Sequence, residues 1–183
     1  MEETKTYSSC WKTRLNQELK RTPAKNNSGL RIAILGVGNE VRGDDAAGIQ
    51  VVRRLSKKAA NSAQVLVIDC GPAPENFSGQ LRRFEPDAVI YIDAAELGEA
   101  PGMVQLVPTE SLAAVAPSTH TLSPAMLFDY LTTELHCRCL MLAIQVGDAR
   151  LDQSISPQVS AVIAEISDGL AELLSSLPGA KVT

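Results

Sequence analysis

The stretch from Leu35 to Gly48, LGVGNEVRGDDAAG, sets glycines beside two adjacent aspartates. Glycine-rich loops cradle phosphates when their backbone N–H groups converge at a helix start. The charges here oppose that use. Glu40, Asp44 and Asp45 stand where an anion would need neutralising charge, against a single cation, Arg42. The glycine pattern fails as well, because Val41 occupies the third glycine position of the dinucleotide fingerprint that Gly36 and Gly38 would begin. Clustered carboxylates repel one another, and a fold keeps them together mainly to bind a cation or to share a proton. The loop is expected to serve a metal.

What else joins it depends on the elements that position the loop. Arg31–Leu35, Gln64–Asp69, Asp87–Asp93 and Cys139–Val146 are short apolar runs of the kind buried on both faces of a parallel sheet, and Met103–Val107 reads as an edge strand. Helical patterns separate them. Gly48, Val51, Val52 and Leu55 mark one helix face, Glu75 to Arg83 a weaker helix, and Ser123-Pro124 and Ser156-Pro157 are N-cap and first-turn signals for two more. The last helix runs to a Pro178-Gly179 stop. Strands alternating with helices predict an α/β three-layer sandwich, a twisted mostly parallel sheet with helices on both faces.

In open α/β sheets, ligands bind beyond the carboxyl ends of the strands, where strand order reverses. Asp44-Asp45 follows the first strand, Asp69 ends the second and Asp93 ends the third. If the second and third strands flank the first, Asp45 and Asp93 face each other across the crevice. Asp69 reads equally well as a strand-end acid capping the next turn. His120, in the polar stretch Pro117-Ser118-Thr119-His120-Thr121, could bring an imidazole to the two carboxylates. That set suits a borderline divalent ion and leaves coordination positions open. Spacing alone leaves His120 undecided between ligand and ordinary loop residue. His136 falls at a helix end, where a cation suits the macrodipole.

The composition frames these readings. With 183 residues, 45% apolar residues and a net charge of −4, the chain is an ordinary globular composition without the clustered basic residues of a nucleic-acid partner. No apolar run has the length of a membrane span, and the N-terminus lacks an apolar signal region, so a cytoplasmic protein is expected. Cys10, Cys70, Cys137 and Cys139 lack zinc spacing and read as reduced, with Cys137 and Cys139 on one face of a strand. Residues 1–29 read as an N-terminal extension and linker, in which Tyr7, Trp11, Leu15 and Leu19 form a helical stripe, and residues 30–183 as one α/β domain.

Gly36-Val37-Gly38-Asn39, Gly43-Asp44-Asp45, Gly48, Asp69 with Ala73-Pro74-Glu75-Asn76, Ile92-Asp93-Ala94 and Thr119-His120-Thr121 occur in an order that resembles the [NiFe]-hydrogenase maturation endopeptidases, most of all the group serving hydrogenase 3. The resemblance covers about residues 31–170. It implies a peptidase that removes the C-terminal extension of the hydrogenase large-subunit precursor after nickel insertion. By motif, the family's nickel-contacting positions fall on Asp45, Asp93 and His120, the same three the crevice argument selects, and they are the expected catalytic set. Nickel would be supplied by the substrate and held only weakly by the free protein. Asp44 is expected to orient the loop or cap the next helix. Ala46 stands where many relatives carry glycine, which matters if that position needs positive φ. Two rival readings are a nickel-binding metallochaperone and a nucleotide-binding α/β module without peptidase activity. No Ser-His-Asp set, Cys-His set or H-E-x-x-H helix supports an ordinary protease mechanism.

Overall fold

The fold is described from a computed structural model covering residues 3–177 apart from 28, 59–61, 108–111, 113–115 and 118–122; of residues 3–10 and 116–117 it describes the backbone alone. Tyr7's side chain, His120 with its neighbouring threonines, and the Pro178-Gly179 stop lie outside the described residues.

The chain runs α1 (Glu3–Arg21), β1 (Ile32–Val37), a 3-10 turn (Gly43–Ala46), α2 (Ala47–Ser56), β2 (Val65–Gly71), a 3-10 turn (Pro74–Phe77), α3 (Ser78–Phe84), β3 (Ala88–Glu96), β4 (Val104–Val107), β5 (Ala116–Pro117), α4 (Pro124–Leu135), β6 (Arg138–Gln145) and α5 (Pro157–Ser175). The sheet order is β2-β1-β3-β6-β4, with β5 pairing the end of β3. The first four strands are mutually parallel, while β4 is antiparallel to β6 and β5 to β3. This is the three-layer α/β sandwich expected from the alternating pattern. β2 and β3 do flank β1, so the order reverses at β1, and the crevice opens between β1 and β3.

Strand periodicity sorts the core into two halves. On one face, Ile32, Ile34, Ile90, Ile92, Leu142 and Ile144 pack against α2, α5 and the α1 stripe Trp11, Leu15 and Leu19. On the other, Leu35, Val89, Tyr91 and Met141 meet Leu81 of α3 and Leu127, Phe128 and Leu131 of α4. Trp11 lies against Gly169 of α5, and its Nε1 donates to Glu165 Oε1 at 3.4 Å. The segment read as a linker is tied down at the amino edge of the sheet. Asp87 accepts from Lys25 N at 2.8 Å and Arg31 N at 2.7 Å, and Lys25 Nζ donates to Pro86 and Leu135 carbonyls.

Both serine caps form as read. Ser123 accepts from Met126 N and Ser156 from Val159 N, each with proline opening the helix behind it. Two elements differ from the sequence reading. The helix expected from Glu75 to Arg83 is split into the Pro74–Phe77 turn and α3, with Gly79 inside the short second piece. β3 also does not stop at Asp93. It continues to Glu96, because Ala94 and Ala95 find ladder partners in β6 after β1 has ended.

Candidate functional site

The last β1–β3 pair is Gly36 with Ile92, so Asp93 is the first β3 residue beyond β1, at the point where the crevice begins. The loop leaving β1 is drawn into the same place by two close approaches. A Cβ on Gly38, whose φ is 145°, would overlap the Asp45 carbonyl oxygen. A Cβ on Gly48 would overlap the carbonyl oxygens of Ile92 and Val37, so α2 starts in direct contact with β3. Glycine there is what lets a helix begin so close to the strand carrying Asp93.

Most of the loop's amides are engaged by other protein groups. Gly38 N donates to the Gly71 carbonyl at 3.1 Å, Asn39 N to Asp45 O at 3.2 Å, Asp44 N to Asp148 O at 2.9 Å and Asp45 N to Arg42 O at 3.0 Å. Val41 N donates to the Asn39 side chain at 3.2 Å. N–H groups already engaged this way are not offered to a phosphate, which counts against the nucleotide-binding alternative.

Asp44 holds this loop in place. The side chain is fully buried. Its Oδ2 accepts from Gly147 N at 2.7 Å, Asp148 N at 2.9 Å and Ser156 Oγ at 3.0 Å, and its Oδ1 accepts from Ser156 N at 2.7 Å. One carboxylate thus ties the β1 loop to the β6–α5 connection and to the start of α5, which is the orienting role expected of it and not a cap on α2. Ala46 has φ −77°, so the glycine of many relatives is not demanded by the backbone here.

Asp45 and Asp93 are both fully buried. Asp93 Oδ1 accepts from Ala94 N at 2.8 Å. Both carboxylates are close enough for their charges to raise the proton affinity of the Tyr91 hydroxyl, Asp93 more than Asp45. This side chain is fully buried two residues before Asp93 on the same strand face, edge-on to Phe128 with ring centroids 5.7 Å apart, and its oxygen has no hydrogen-bond partner. Burial pushes the phenol's proton affinity up, and the charges of Asp93, Cys70, Glu75 and Asp45 push it further. One hydroxyl therefore lies within electrostatic reach of three carboxylates. The third, Glu75, sits in the Pro74–Phe77 turn after β2, and its Oε2 is likewise buried without a partner.

Asp69 is not brought into this group. Its Oδ1 accepts from Gly71 N at 3.1 Å and its Oδ2 from Arg53 Nε at 2.6 Å, so the turn-capping reading holds and Arg53 links it to Glu40. His136 takes a left-handed conformation, φ 50°, as the C-cap of α4. Cys137 and Cys139 lie on one strand face with sulfurs 4.0 Å apart, and these two and Cys70 are free thiols. Among the described residues, no three His, Cys, Asp or Glu side chains are grouped to hold a metal ion by themselves, and no helix is long and apolar enough to cross a membrane. The 970 Å³ groove beside α2, lined by Arg53, Arg54, Lys57 and Ser160 among others, is not lined by Asp45 or Asp93. Groove size is no guide to the site.

Residues 49–175 match the family model described as hydrogenase maturation protease. The chain belongs to this family. It is 31% identical over 121 residues to an assigned hydrogenase maturation protease of Methanocaldococcus jannaschii, covering 63% of this chain and 72% of that protein. With the hydrogenase 3 maturation protease of Escherichia coli it shares 31% identity over 103 residues, 56% of this chain and 65% of that protein. The crystal structure of the [NiFe] hydrogenase maturation protease HycI from Thermococcus kodakarensis superposes with a TM-score of 0.74 at 31% identity, covering 82% of this chain and 96% of that one. The chain is accordingly a peptidase of the hydrogenase maturation protease type, on the fold that the crystal structure shares.

Three features of this candidate site were not read from the sequence. Tyr91 had a signal, since strand period places it on the Asp93 face. Glu75 lay inside the motif that carried the resemblance but was assigned no role. The Asp44 partners at Gly147, Asp148 and Ser156 lie more than a hundred residues away and left no local trace.

Proposed function

We propose that this endopeptidase removes the C-terminal extension of a [NiFe]-hydrogenase large-subunit precursor in the cytoplasm after nickel has been inserted. In this reading Asp45, Asp93 and His120 contact nickel that arrives already held by substrate thiolates, so the ion docks the scissile bond in the crevice. The supporting observation is the pair of fully buried carboxylates, one from the β1 loop and one from β3 just beyond its last pairing with β1, where the strand order reverses. A divalent cation relieves the mutual repulsion of two carboxylates, and it does so most strongly where water is excluded. Nickel bound by hard oxygens and one imidazole alone would be held loosely, and the substrate's thiolates supply the softer half of its coordination.

The test incubates the chain with nickel-loaded and nickel-free precursor and follows the precursor's electrophoretic mobility. Cleavage of the loaded form alone is expected. Cleavage of both forms would sink the nickel-recognition part, and cleavage of neither, with nickel retained by the chain, would favour a metallochaperone. Asp45→Asn and Asp93→Asn, nearly isosteric and lacking only charge, are each expected to abolish the shift while the protein still unfolds cooperatively.

A further inference from the structure

The open groove beside α2 gathers charge that the aspartate pair does not use. Arg53, Arg54, Lys57 and Lys58 line it against one acid, Asp69, in a chain whose net charge is −4. Arg53 is paired with Glu40 and Asp69, and Lys58 with Asp168. Arg54 and Lys57 are exposed and make no hydrogen bond or ion pair among the described residues. Exposed pairs such as Arg53 with Glu40 contribute little to folding, so these cations can exchange partners as well. The buried Val52 and Ile163 and the half-buried Ile155 add an apolar floor to this cationic rim.

The groove is continuous with the candidate site. Its α2 lining runs from Gln50, in the first turn after the Asp45 loop, to Lys57 at the C-cap, about 10 Å along the axis. Arg53 reaches Glu40, which belongs to the same loop as Asp45. On the opposite wall, Ile155 and Ser160 bracket Ser156, the residue that Asp44 ties down.

We propose that this groove docks an acidic segment of the precursor, with aliphatic side chains on the floor and carboxylates against Arg54 and Lys57. In the proposed function on which this inference rests, nickel fixes one point of the substrate. A second contact fixes its orientation and supplies binding energy away from the reacting bond. A nucleic acid fits less well, because no aromatic side chain lines the groove to stack a base and the net charge repels a polyanion.

The test uses the full chain and nickel-loaded precursor. Single-turnover cleavage followed across chain concentrations separates the half-saturating concentration from the rate at saturation. Arg54→Glu/Lys57→Glu reverses both unpaired cations. At about 50 mM salt it is expected to raise the half-saturating concentration about tenfold, with the saturated rate within about threefold of the parent. The effect should shrink to about twofold at about 0.5 M salt, where the screening length is about 4 Å. Arg54→Lys/Lys57→Arg keeps both charges and should match the parent, which separates charge from helix stability. Arg82→Glu/Arg83→Glu makes the same change of net charge on α3, across the sheet, and should stay within about twofold of the parent. A peptide alternating glutamate and leucine should compete with the precursor, and its lysine counterpart and a single-stranded oligonucleotide should not. An unchanged half-saturating concentration in the reversed variant, an equal loss in the α3 variant, a fall in the saturated rate alone, or oligonucleotide competition equal to that of the acidic peptide would each overturn the proposal. A parent chain that fails to cleave the loaded precursor defeats the proposed substrate itself, and this occupant with it, before any variant is made.

Discussion

Asp44→Asn isolates what the buried tether contributes. If the amide turns its oxygen toward Gly147 N, Asp148 N and Ser156 Oγ, three of the four contacts survive as neutral hydrogen bonds. The Nδ2 group then points at Ser156 N, donor against donor. Leaving that buried N–H unsatisfied costs about 1–3 kcal/mol, and turning three charge-assisted bonds into neutral ones costs about 0.5 kcal/mol each. Removal of a buried charge offsets part of this, leaving a destabilisation of about 3 kcal/mol. For a chain of 183 residues, that lowers Tm by about 6–12 °C. Urea unfolding followed by the fluorescence of the single tryptophan, Trp11, gives the free energy directly, and calorimetry gives the Tm. A variant within about 0.5 kcal/mol of the parent would show that the four contacts do not hold the loop as a unit.

Three further outcomes are expected. Gly48→Ala forces a methyl into the Ile92 and Val37 carbonyl oxygens, which are backbone and cannot rotate away; it should cost about 3 kcal/mol or more and slow cleavage by displacing α2 and the Asp45 loop, read by thermal melting and precursor processing. Trp11→Ala empties the contact of α1 with Gly169 and Glu165 and should destabilise by about 3–5 kcal/mol in chemical unfolding followed by circular dichroism, whereas an unchanged midpoint would mean that α1 is not part of the folding unit. Burial, helped by Asp69 and Glu75, pushes the Cys70 thiol up from 9.0 to about 12. Because the folded value exceeds the unfolded one, this stabilisation is fully present below pH 9.0 and is lost as pH rises toward about 12. Stability curves should therefore decline across that window, less steeply for Cys70→Ala, and Cys70 should resist alkylation at pH 8 in the native protein.

The sheet was legible because its signal is local and repeated. Three central parallel strands, β1, β3 and β6, are buried on both faces and leave nearly continuous apolar runs, and the two Ser-Pro starts announce helices whose caps then form. Strand ends were less legible, for a physical reason. Ladder partners, and not the strand's own residues, decide where pairing stops, so β3 runs past Asp93 for as long as β6 and β5 continue beside it. The α1 stripe could be read as a helix face, but its burial against β4 and α5 depends on surfaces formed elsewhere in the chain.

The same distinction explains the site. Asp45 and Asp93 could be assigned to one end of the sheet in advance because sheet topology has a rule: the crevice opens where strand order reverses, and Asp45 follows β1 while Asp93 lies on β3 just beyond its last pairing with β1. No comparable rule says where a buried loop aspartate will find four donors. Asp44 and Asp45 are neighbours of one type, equally buried, yet it is Asp44 whose carboxylate bonds to the β6–α5 connection and the start of α5. Neighbouring residues in a 3-10 turn differ in direction by about 120°, so the carboxylate that ties the loop down and its neighbour point different ways. If Asp45 serves cleavage as proposed, exchanging each for asparagine should separate the two roles: Asp44→Asn shows mainly in unfolding, Asp45→Asn mainly in cleavage.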